Sequence, residues 1–265
     1  MRISLIISTY NWPDALRLCL LSVMSQTRLP DEVIVADDGS TNETRELIDK
    51  FKTVFPCPLK HAWIPDEGFR LAASRNNAVR TCCTGDYLIF IDHDILLDRN
   101  FIHDHERIAR PNCYITGGRA KLLKPITLLL LHGGKRKLNL LTRGINRKVN
   151  TLHLPFLHPL TRYMYSWKHL YGRGANMAMW KSDFEKVNGF DEDLQGYGTE
   201  DVDLFNRLEN NGVHKKYAQF CAIEYHLFHP RGKVSKLNHD KAFDEPNRKR
   251  CRNGLVRLPD TDPLT

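Results

Sequence analysis

Asp92 and Asp94 have the spacing of a metal-binding pair. They follow the apolar run at residues 87–91, with His93 between them, and residues two apart at the end of a strand can point the same way. Two carboxylates so placed repel each other unless a cation lies near them, and hard divalent ions prefer oxygen ligands. Asp-x-Asp is common in solvated loops. Its position directly after an apolar strand makes a divalent metal site the favoured interpretation.

A second source of metal ligands lies near residue 230, where His226 and His229 stand three apart. The chain has 12 histidines, so pairs arise easily by chance. A histidine combined with one or two carboxylates gives a mixed nitrogen and oxygen shell, which suits Mn²⁺ and leaves positions open for phosphate oxygens. We expect one of the two histidines to be a ligand, and the sequence does not say which.

A third acidic group opens a predicted helix. Thr199-Glu200-Asp201 follows the loop Gly196-Tyr197-Gly198, and Asp203 comes shortly after. Carboxylates near a helix N-terminus interact favourably with the helix dipole, so capping could account for one of these acids. The others remain unexplained by capping. A carboxylate held here could take a proton from a substrate hydroxyl.

Alternating strands and helices must position these residues. Strand-like runs are found at 2–8, 32–36, 59–64 and 86–91, with helical patterns between them. This alternation predicts an α/β fold with a Rossmann-like, mostly parallel sheet and helices on both faces. Ligands bind outside the carboxyl ends of the strands in such sheets. The polar clusters at those ends are Thr9-Tyr10-Asn11, Asp37-Asp38 and Asp92-His93-Asp94.

The second part of the chain is less regular. Its predicted elements are a strand at 176–180 followed by a short helix, a turn at 189–192, a helix from 199 to 211, and a strand within 215–225. In the first part, Arg75 and Asn76 lie on the third helical pattern. They could reach phosphate or hold the aspartate loops, and the alternative is a surface network along the helix.

Composition excludes several classes of protein. The chain has 265 residues, of which 42% are hydrophobic and 26% charged, so neither a disordered chain nor a fibre is indicated. Seven cysteines without a CxxC pair argue against a disulfide framework and a zinc knuckle. The first strand turns polar at Thr9, too early for a signal peptide, and no apolar run approaches the roughly 20 residues of a membrane span. We expect a cytoplasmic protein.

One segment supplies the whole net charge of +8. Residues 107–181 contain fifteen Lys or Arg and no Asp or Glu. Apolar clusters at 125–131 and 138–141 flank Lys135-Arg136-Lys137, and this combination favours an anionic membrane surface or an acidic lipid-linked partner. The alternative is a solvated basic insertion whose leucines pack inward. Nucleic acid is disfavoured, because only Tyr114 is interleaved with the charges between residues 110 and 147.

With these residues assembled, the chain resembles the inverting family 2 glycosyltransferases of the GT-A fold. The resemblance rests on five stretches in order: Ile6-Ile7-Ser8-Thr9-Tyr10-Asn11, Val35-Ala36-Asp37-Asp38-Gly39-Ser40, Ala73-Ser74-Arg75-Asn76-Asn77-Ala78, Phe90-Ile91-Asp92-His93-Asp94 and Asn188-Gly189-Phe190-Asp191-Glu192. Residues 196–208 are similar to the Gly-Trp-Gly-Gly-Glu-Asp loop and helix of β-1,4-galactosyltransferases and bacterial chondroitin-polymerase domains.

The resemblance implies a role for each motif. Asp201 is the expected catalytic base, and Asp94 with one of His226 and His229 is expected to hold Mn²⁺ or Mg²⁺. The residues expected to surround the UDP part of the donor are Thr9, Tyr10, Asn11, Asp38, Arg75, Asp92 and His93. The expected acceptor contacts are Glu200, Tyr197, Gly198 and Trp180. Tyr197 replaces the family's loop Trp and Thr199 its second Gly, so the sugar preference cannot be carried over.

The sequence thus divides into three expected parts. Residues 1–110 form a nucleotide-sugar-binding half, residues 111–230 form a smaller acceptor-binding and catalytic half, and residues 231–265 form a C-terminal extension. The basic segment at about 119–160 is an insertion for which the resemblance offers no counterpart. The oligomeric state is not specified.

The expected activity is transfer of a hexose or N-acetylhexosamine from a UDP-sugar to a glycan hydroxyl, with inversion to a β-linkage. The expected acceptor is a lipid-linked, acidic bacterial surface glycan, such as lipopolysaccharide, O-antigen or capsule, at the inner face of the cytoplasmic membrane. One alternative is a sugar nucleotidylyltransferase, which would need a glycine-rich loop after the first strand, where this chain has no glycine. The other is a non-catalytic protein that binds a membrane surface.

Overall fold

The computed structural model describes residues 1–134, 137–163, 174–230, 232, 235, 238, 245 and 247–265. Two predicted features lie partly outside the described residues. These are the basic triplet at 135–137 and the first half of the C-terminal extension.

The first half of the chain alternates between strands and helices, as the sequence predicts. The elements are β1 (Ile3–Thr9), α1 (Pro13–Met24), β2 (Glu32–Asp37), α2 (Asn42–Lys52), β3 (Leu59–Trp63), α3 (Leu71–Cys82) and β4 (Tyr87–Asp92). Runs of β-branched and aliphatic residues form β1, β2 and β4, which are buried almost throughout.

The remaining α-helices and strands of the described chain are mostly shorter. They are β5 (Ile95–Leu97), α4 (Phe101–Ile108), β6 (Cys113–Gly117), β7 (Ala120–Leu122), α5 (Lys124–Leu131), β8 (Ile145–Asn146), α6 (His158–Thr161), β9 (Met177–Trp180), α7 (Lys181–Lys186), α8 (Glu200–Asn210), β10 (His214–Ala218) and β11 (Glu224–His226). The single strand predicted within 215–225 is wrong, because β10 and β11 are two strands in different sheets.

The central sheet has the order β10-β6-β9-β4-β1-β2-β3 in the part of the chain that the structure describes. Its strands β4, β1, β2 and β3 are mutually parallel, while β9 runs antiparallel between β4 and β6. This confirms the predicted mostly parallel sheet. The carboxyl ends of β1, β2 and β4 lie side by side, with Thr9 paired to Asp37 and Ser8 paired to Asp92.

Helices cover both faces of this sheet, which also confirms the prediction. On one face, strand residues such as Leu5 and Val35 share a core with Leu16 of α1 and Phe101 of α4. The opposite face carries α3, α7 and α8, and its shared core contains Ile6, Phe90, Val79, Phe184 and Leu204. The strand ends are therefore held between two apolar layers.

A second, smaller sheet has the order β5-β11-β7-β8 among the described strands. The basic segment at about 119–160 contributes β7, α5 and β8, so this segment is integrated into the fold. Ile126 and Leu130 of α5 pack inward, whereas Leu128, Leu129 and Leu141 are exposed. Of the described helices, none combines the length and hydrophobicity that crossing a membrane requires.

Candidate active site

A cleft of about 490 Å³ opens at the carboxyl ends of β1, β2 and β4. The strand ends meet there because neighbouring parallel strands end at the same edge of the sheet. The predicted residues that line it are Thr9, Tyr10, Asp38, Asp92, His93, Asp94, Tyr197, His226 and His229. Residues from three separate strand ends, from the loop before α8 and from the end of β11 onward therefore share one cleft.

The two histidines of the pair both reach Asp94. Nε2 of His226 and Nε2 of His229 each lie 3.1 Å from Oδ2 of Asp94, and the two nitrogens are 3.3 Å apart. The small sheet produces this arrangement, because His226 of β11 pairs with Ile95 of β5, the residue after Asp94. One carboxylate and two imidazoles converging on a point are a donor set that fits Mn²⁺.

The hydrogen bonds around this cluster also suit a metal site. Nδ1 of His229 donates to the carbonyl oxygen of Pro230 over 2.7 Å, so Nε2 is the ring nitrogen that faces Asp94 and would coordinate an ion. Burial alone would raise the pKa of Asp94, but the hydrogen bonds from His226 and His229 outweigh it and hold that pKa well below its usual range. The second carboxylate oxygen, Oδ1 of Asp94, is buried and accepts no hydrogen bond from the described residues.

Two further buried oxygens in the cleft lack a hydrogen-bond partner among the described residues. They are Oγ1 of Thr9 and Oδ1 of Asp38. The other oxygen of Asp38 accepts a hydrogen bond from the backbone N–H of Arg70 at 2.7 Å. Burial raises the pKa of Asp38 to about 6. Buried polar atoms normally have partners, so these atoms indicate that a polar ligand belongs in the cleft.

Tyr10, Asn11 and His93 shape the cleft in different ways. The Tyr10 hydroxyl donates to Asp66 at 3.0 Å, and the backbone N–H and Nδ1 of His93 lie 2.9 and 3.0 Å from the carbonyl oxygen of Ser8. Asn11 does not line the cleft. Its side-chain oxygen instead accepts the N–H of Thr41 at 2.9 Å, which ties β1 to the loop after β2.

Arg75 is completely buried and acts inside the protein. Its guanidinium donates to Ser8 Oγ at 2.9 Å, to Asp92 Oδ1 at 3.0 Å and to Glu200 Oε1 at 3.3 Å. The expected contact between Arg75 and the nucleotide is not supported, because the side chain does not line the cleft. The alternative that Arg75 holds the aspartate loops agrees with these contacts.

Glu200 and Asp201 open α8 beside this arginine. Asp201 Oδ2 accepts the N–H of Gly174, and Asp201 Oδ1 accepts the N–H of Val202, both at 2.8 Å. Burial and the negative charge of Asp201 raise the pKa of Glu200 to about 7. Burial also raises the pKa of Asp201, against the effect of the Gly174 hydrogen bond.

The loop before α8 has an unusual backbone. Gly196, Gly198 and Thr199 have φ values of 91°, 97° and 75°, and a left-handed conformation is strained for threonine. Thr199 does not cap the helix, because its hydroxyl donates to the carbonyl oxygen of Gly198 instead. Tyr197 lies in this loop, faces the cleft and contacts the edge of Phe69 at 6.0 Å between ring centroids.

Trp180 is not brought to this site, and its expected acceptor contact is wrong. It pairs with Tyr87, at the amino end of β4. Asp92 is at the other end of that strand, roughly 16 Å from Tyr87 at a rise of about 3.3 Å per residue. Its indole N–H donates to the carbonyl oxygen of Arg110 at 2.8 Å. The antiparallel direction of β9 places Trp180 at the opposite edge of the sheet.

Sequence reasoning missed several residues of the site. Arg119 and Lys121 line the cleft and bring positive charge to it, and the N–H of Gly174 holds Asp201. Arg119 and Lys121 stand at the start of the basic segment, and the charge count alone could not show which of its cations face the cleft. Nothing in the residue type of Gly174 signals a backbone contact.

Two family models match the chain. The one described as glycosyl transferase family 2 matches residues 4–185, and the one described as the N-terminal domain of galactosyltransferase matches residues 153–230.

The validoxylamine A glucosyltransferase of Streptomyces hygroscopicus subsp. limoneus is 27% identical over 226 residues, which cover 80% of this chain and 48% of that protein. The chondroitin synthase of Escherichia coli is 25% identical over 262 residues, covering 89% and 36%. The chain spans half or less of the length of these relatives.

Solved structures share the fold. The mannosyltransferase PcManGT from Pyrobaculum calidifontis, in complex with GDP-Man and Mn²⁺, has a TM-score of 0.61 at 18% identity, over 87% of this chain and 58% of that one. GalNAc-T7 with UDP, GalNAc and Mn²⁺ has a TM-score of 0.66 at 15% identity, over 93% and 47%. These likenesses confirm the predicted GT-A architecture.

Proposed function

The chain belongs to glycosyl transferase family 2, and from this premise we propose that it transfers a hexose or N-acetylhexosamine from a UDP-sugar to a glycan hydroxyl, with inversion to a β-linkage. The observation that carries the proposal is the cleft that Thr9, Asp38, Asp94, His226 and His229 line together. Each of the first three has a buried oxygen without a hydrogen-bond partner among the described residues. A polar ligand that binds together with a metal ion would provide partners for these oxygen and nitrogen atoms.

The donor occupies the part of the cleft beside β1 and β2 in this proposal. Thr9 and Asp38 offer hydrogen-bond partners to the nucleoside, and Asp92 lies near the ribose. Arg119 and Lys121 supply positive charge for the diphosphate. The neighbouring carboxylates of Asp38 and Asp92 would otherwise disfavour an anionic ligand.

Asp94, His226 and His229 would hold the Mn²⁺ or Mg²⁺. An ion bound there would neutralise the negative charge that develops on UDP as UDP leaves. The protein's own part is to present three ligand atoms that already lie within 4.8 Å of one another. The hydrogen bond to the carbonyl oxygen of Pro230 orients the ring of His229.

Asp201 is the proposed general base. It accepts the proton of the acceptor hydroxyl as that oxygen attacks the anomeric carbon from the face opposite UDP. The backbone N–H groups of Gly174 and Val202 orient its carboxylate, and the raised pKa favours proton uptake. Glu200, the preceding residue, and Tyr197, which faces the cleft, are the proposed acceptor contacts. A single carboxylate suffices, because inversion involves no covalent glycosyl intermediate.

The proposed acceptor is a lipid-linked bacterial surface glycan at an anionic membrane. Supporting observations are the basic segment and its exposed leucines, Leu128, Leu129 and Leu141. Several relatives act on polysaccharides by name, including the chondroitin synthase above and the O-antigen chain rhamnosyltransferase RfbN of Salmonella typhimurium, which is 35% identical over 101 residues, covering 37% of this chain and 29% of that protein.

Thermal unfolding with a panel of nucleotides and nucleotide sugars tests the proposal. We expect UDP and one UDP-sugar to raise the Tm in the presence of Mn²⁺, since a ligand at 100 times its Kd stabilises by about 2.7 kcal/mol. Asp94→Asn is expected to abolish the part of the shift that needs Mn²⁺. Asp49→Asn, which changes an exposed carboxylate of α2, is the matched control.

Three outcomes would contradict the proposal. Stabilisation by no nucleotide would favour the non-catalytic alternative. Stabilisation by nucleoside triphosphates alone would favour a nucleotidylyltransferase. If UDP raises the Tm equally with Mn²⁺ and after exhaustive chelation, the proposed metal site is wrong.

A further inference from the structure

A small basic cavity lies outside the cleft, between the end of α4, helix α6 and the edge strand β10. Its volume is about 120 Å³. The residues that line it are Arg107, Ile108, Arg110, Pro155, His158, Pro159, Arg162 and Lys216. None of them lines the cleft, so the two sites are separate.

The cavity concentrates positive charge without a carboxylate. Arg107, Arg110, Arg162 and Lys216 all line it, and none of its lining residues is acidic. The guanidinium of Arg107 donates to the carbonyl oxygen of Pro155 at 3.1 Å, and that of Arg110 donates to the carbonyl oxygen of Arg107 at 3.0 Å. Carbonyl oxygens orient these groups but do not neutralise them. Lys216 and Arg162 also lie over the ring of Tyr163, at 3.7 and 5.0 Å from its centroid, and a bound anion would relieve the mutual repulsion of the four cations.

His158 supplies a second, independent indication of a ligand. The residue is only 8% exposed, and its Nε2 is buried without a hydrogen-bond partner among the described residues. Nε of Arg162 is also buried and unpartnered there. Burial, together with the charges of Arg107 and Arg162, lowers the pKa of His158 to about 4. Because that pKa leaves the imidazole neutral at pH 7, a bound anion would offset the neighbouring cations and let Nε2 take up a proton and donate to the anion.

We propose that this cavity binds a phosphate group. Guanidinium and ammonium groups form charge-assisted hydrogen bonds with phosphate oxygens, and arginine matches them in a bidentate manner. At about 30 Å³ per water molecule, the cavity has room for about four waters, which suits a tetrahedral oxyanion. Small-molecule pockets usually begin at about 300 Å³, so a whole nucleotide does not fit.

The phosphate can come from a soluble phosphomonoester or from a lipid head group. Phe156 and Leu160 adjoin the lining residues Pro155 and Pro159, and they are 70% and 81% exposed. Apolar side chains beside a phosphate site are what a phospholipid surface would meet. The proposal does not depend on the transferase activity, because no residue of the cleft takes part.

Titration with inorganic phosphate tests the site, in a chloride buffer of constant ionic strength and followed by calorimetry. We expect saturable binding, and a Kd at least tenfold weaker in Lys216→Met and in Arg107→Gln. Lys50→Met removes an exposed lysine of α2 and is expected to leave the Kd unchanged. Two lining variants are used so that a folding defect in one, checked by circular dichroism, leaves the other decisive.

Vesicles distinguish the two sources of phosphate. If the lipid is the source, vesicles containing phosphatidic acid should bind more tightly than phosphatidylcholine vesicles, and Phe156→Ser should weaken that binding several-fold. If the source is soluble, Phe156→Ser should leave vesicle binding unchanged while phosphate still binds the cavity. Absence of phosphate binding at millimolar concentration, or binding that both lining variants retain in full, would overturn the proposal.

Discussion

Arg75 arranges the acidic side chains of the site although it does not reach the cleft. Its buried guanidinium bridges Asp92, at the end of β4, and Glu200, at the start of α8. Phe190 packs against it, with its ring centroid 5.2 Å from the guanidinium carbon. A buried charge is tolerated only when it is paired and hydrogen-bonded. The acids therefore keep Arg75 inside the protein, and Arg75 in turn ties the end of β4 to the start of α8.

Asp201→Asn is expected to lower kcat by about 10² to 10⁴-fold, the usual contribution of a general base. Asparagine retains the shape of the side chain and one hydrogen-bond acceptor but cannot take the hydroxyl proton. Binding of UDP should persist, because Asp201 is not among the residues that line the cleft. Steady-state kinetics and calorimetry with UDP measure the two effects. The surface control Asp49→Asn should keep a kcat within tenfold of the wild type. The same result for Asp201→Asn would show that Asp201 is not the base.

Glu200 is expected to destabilise the folded protein at alkaline pH. Burial and Asp201 raise its pKa from 4.5 to about 7, so the folded state binds a proton that the unfolded chain has already released. Stability from this residue is present below about pH 4.5 and is lost as the pH rises to about 7. We therefore compare the effect of Glu200→Gln on the free energy of unfolding at two pH values. The effect should be more stabilising at pH 8 than at pH 5, by about 1 to 3 kcal/mol.

Urea denaturation at both pH values measures this effect. Glu185→Gln, which changes an exposed glutamate of α7, should show no comparable difference between the two pH values. A Glu200→Gln variant that is equally or more strongly destabilised at pH 8 than at pH 5 would contradict the raised pKa.

At the scale of elements, the pairing of β5 with β11 creates the proposed metal site. Asp94 lies in the turn between β4 and β5, and His226 ends β11. The antiparallel register sets His226 opposite Ile95, and the N–H of Leu227 donates to the carbonyl oxygen of Asp94 at 2.9 Å. Backbone pairing therefore fixes the distance between ligands that come from distant parts of the chain.

Helix α8 is anchored by the C-terminal segment. Arg248 is buried and pairs with Asp191 at 3.0 Å and with Asp203 of α8. Asp203 also pairs with Arg207 one turn later, at 2.6 Å. This network orients the helix whose first residues are Glu200 and Asp201. Through Arg248, the C-terminal extension therefore supports the helix that carries two residues of the proposed site.

Arg248→Met is expected to destabilise the protein by about 3 kcal/mol, because it removes one cation from two buried carboxylates. Chemical denaturation measures the change. Lys249→Met, at the exposed neighbouring position, should change the free energy of unfolding by less than about 0.5 kcal/mol. Equal stability of the two variants would show that the pairing of Arg248 does not hold the segment in place.

At the scale of the whole molecule, charge and apolar surface coincide on the basic segment. Leu141 is 85% exposed, and Leu128 and Leu129 of α5 are also exposed, while Ile126 and Leu130 pack into the small sheet's core. The interpretation that leucines and isoleucines of the segment pack inward therefore holds for Ile126 and Leu130. The membrane-surface interpretation stays a proposal, which rests on the exposed leucines.

Leu128→Ser combined with Leu141→Ser is expected to weaken binding to anionic vesicles by about tenfold or more, because each buried leucine contributes about 1.5 kcal/mol or more. Co-sedimentation with vesicles of anionic and of neutral lipid measures the effect. Val54→Ser, at an exposed position after α2, is the matched control. Binding that does not depend on anionic lipid would contradict a membrane role for this segment.

Prediction succeeded where the signal was local. Residues 87–91 form an apolar run long enough to mark a buried strand, and the polar residues that follow it lie at the predicted edge. The short strands β5, β7 and β8 have two or three residues each, too few to show a period. The small sheet, and with it the contact of both histidines with Asp94, was therefore not predictable from pattern.

The sequence by itself determined the parallel sheet, the edge at which its polar strand ends meet, and the kinds of side chain gathered there. Only the tertiary structure decided that both His226 and His229 reach Asp94, that Arg75 points inward, and that Trp180 lies at the far edge. Residue type and local period are properties of short segments. Which segments touch depends on how the whole chain packs, and a backbone contact such as the one from Gly174 to Asp201 leaves no trace in the residue type.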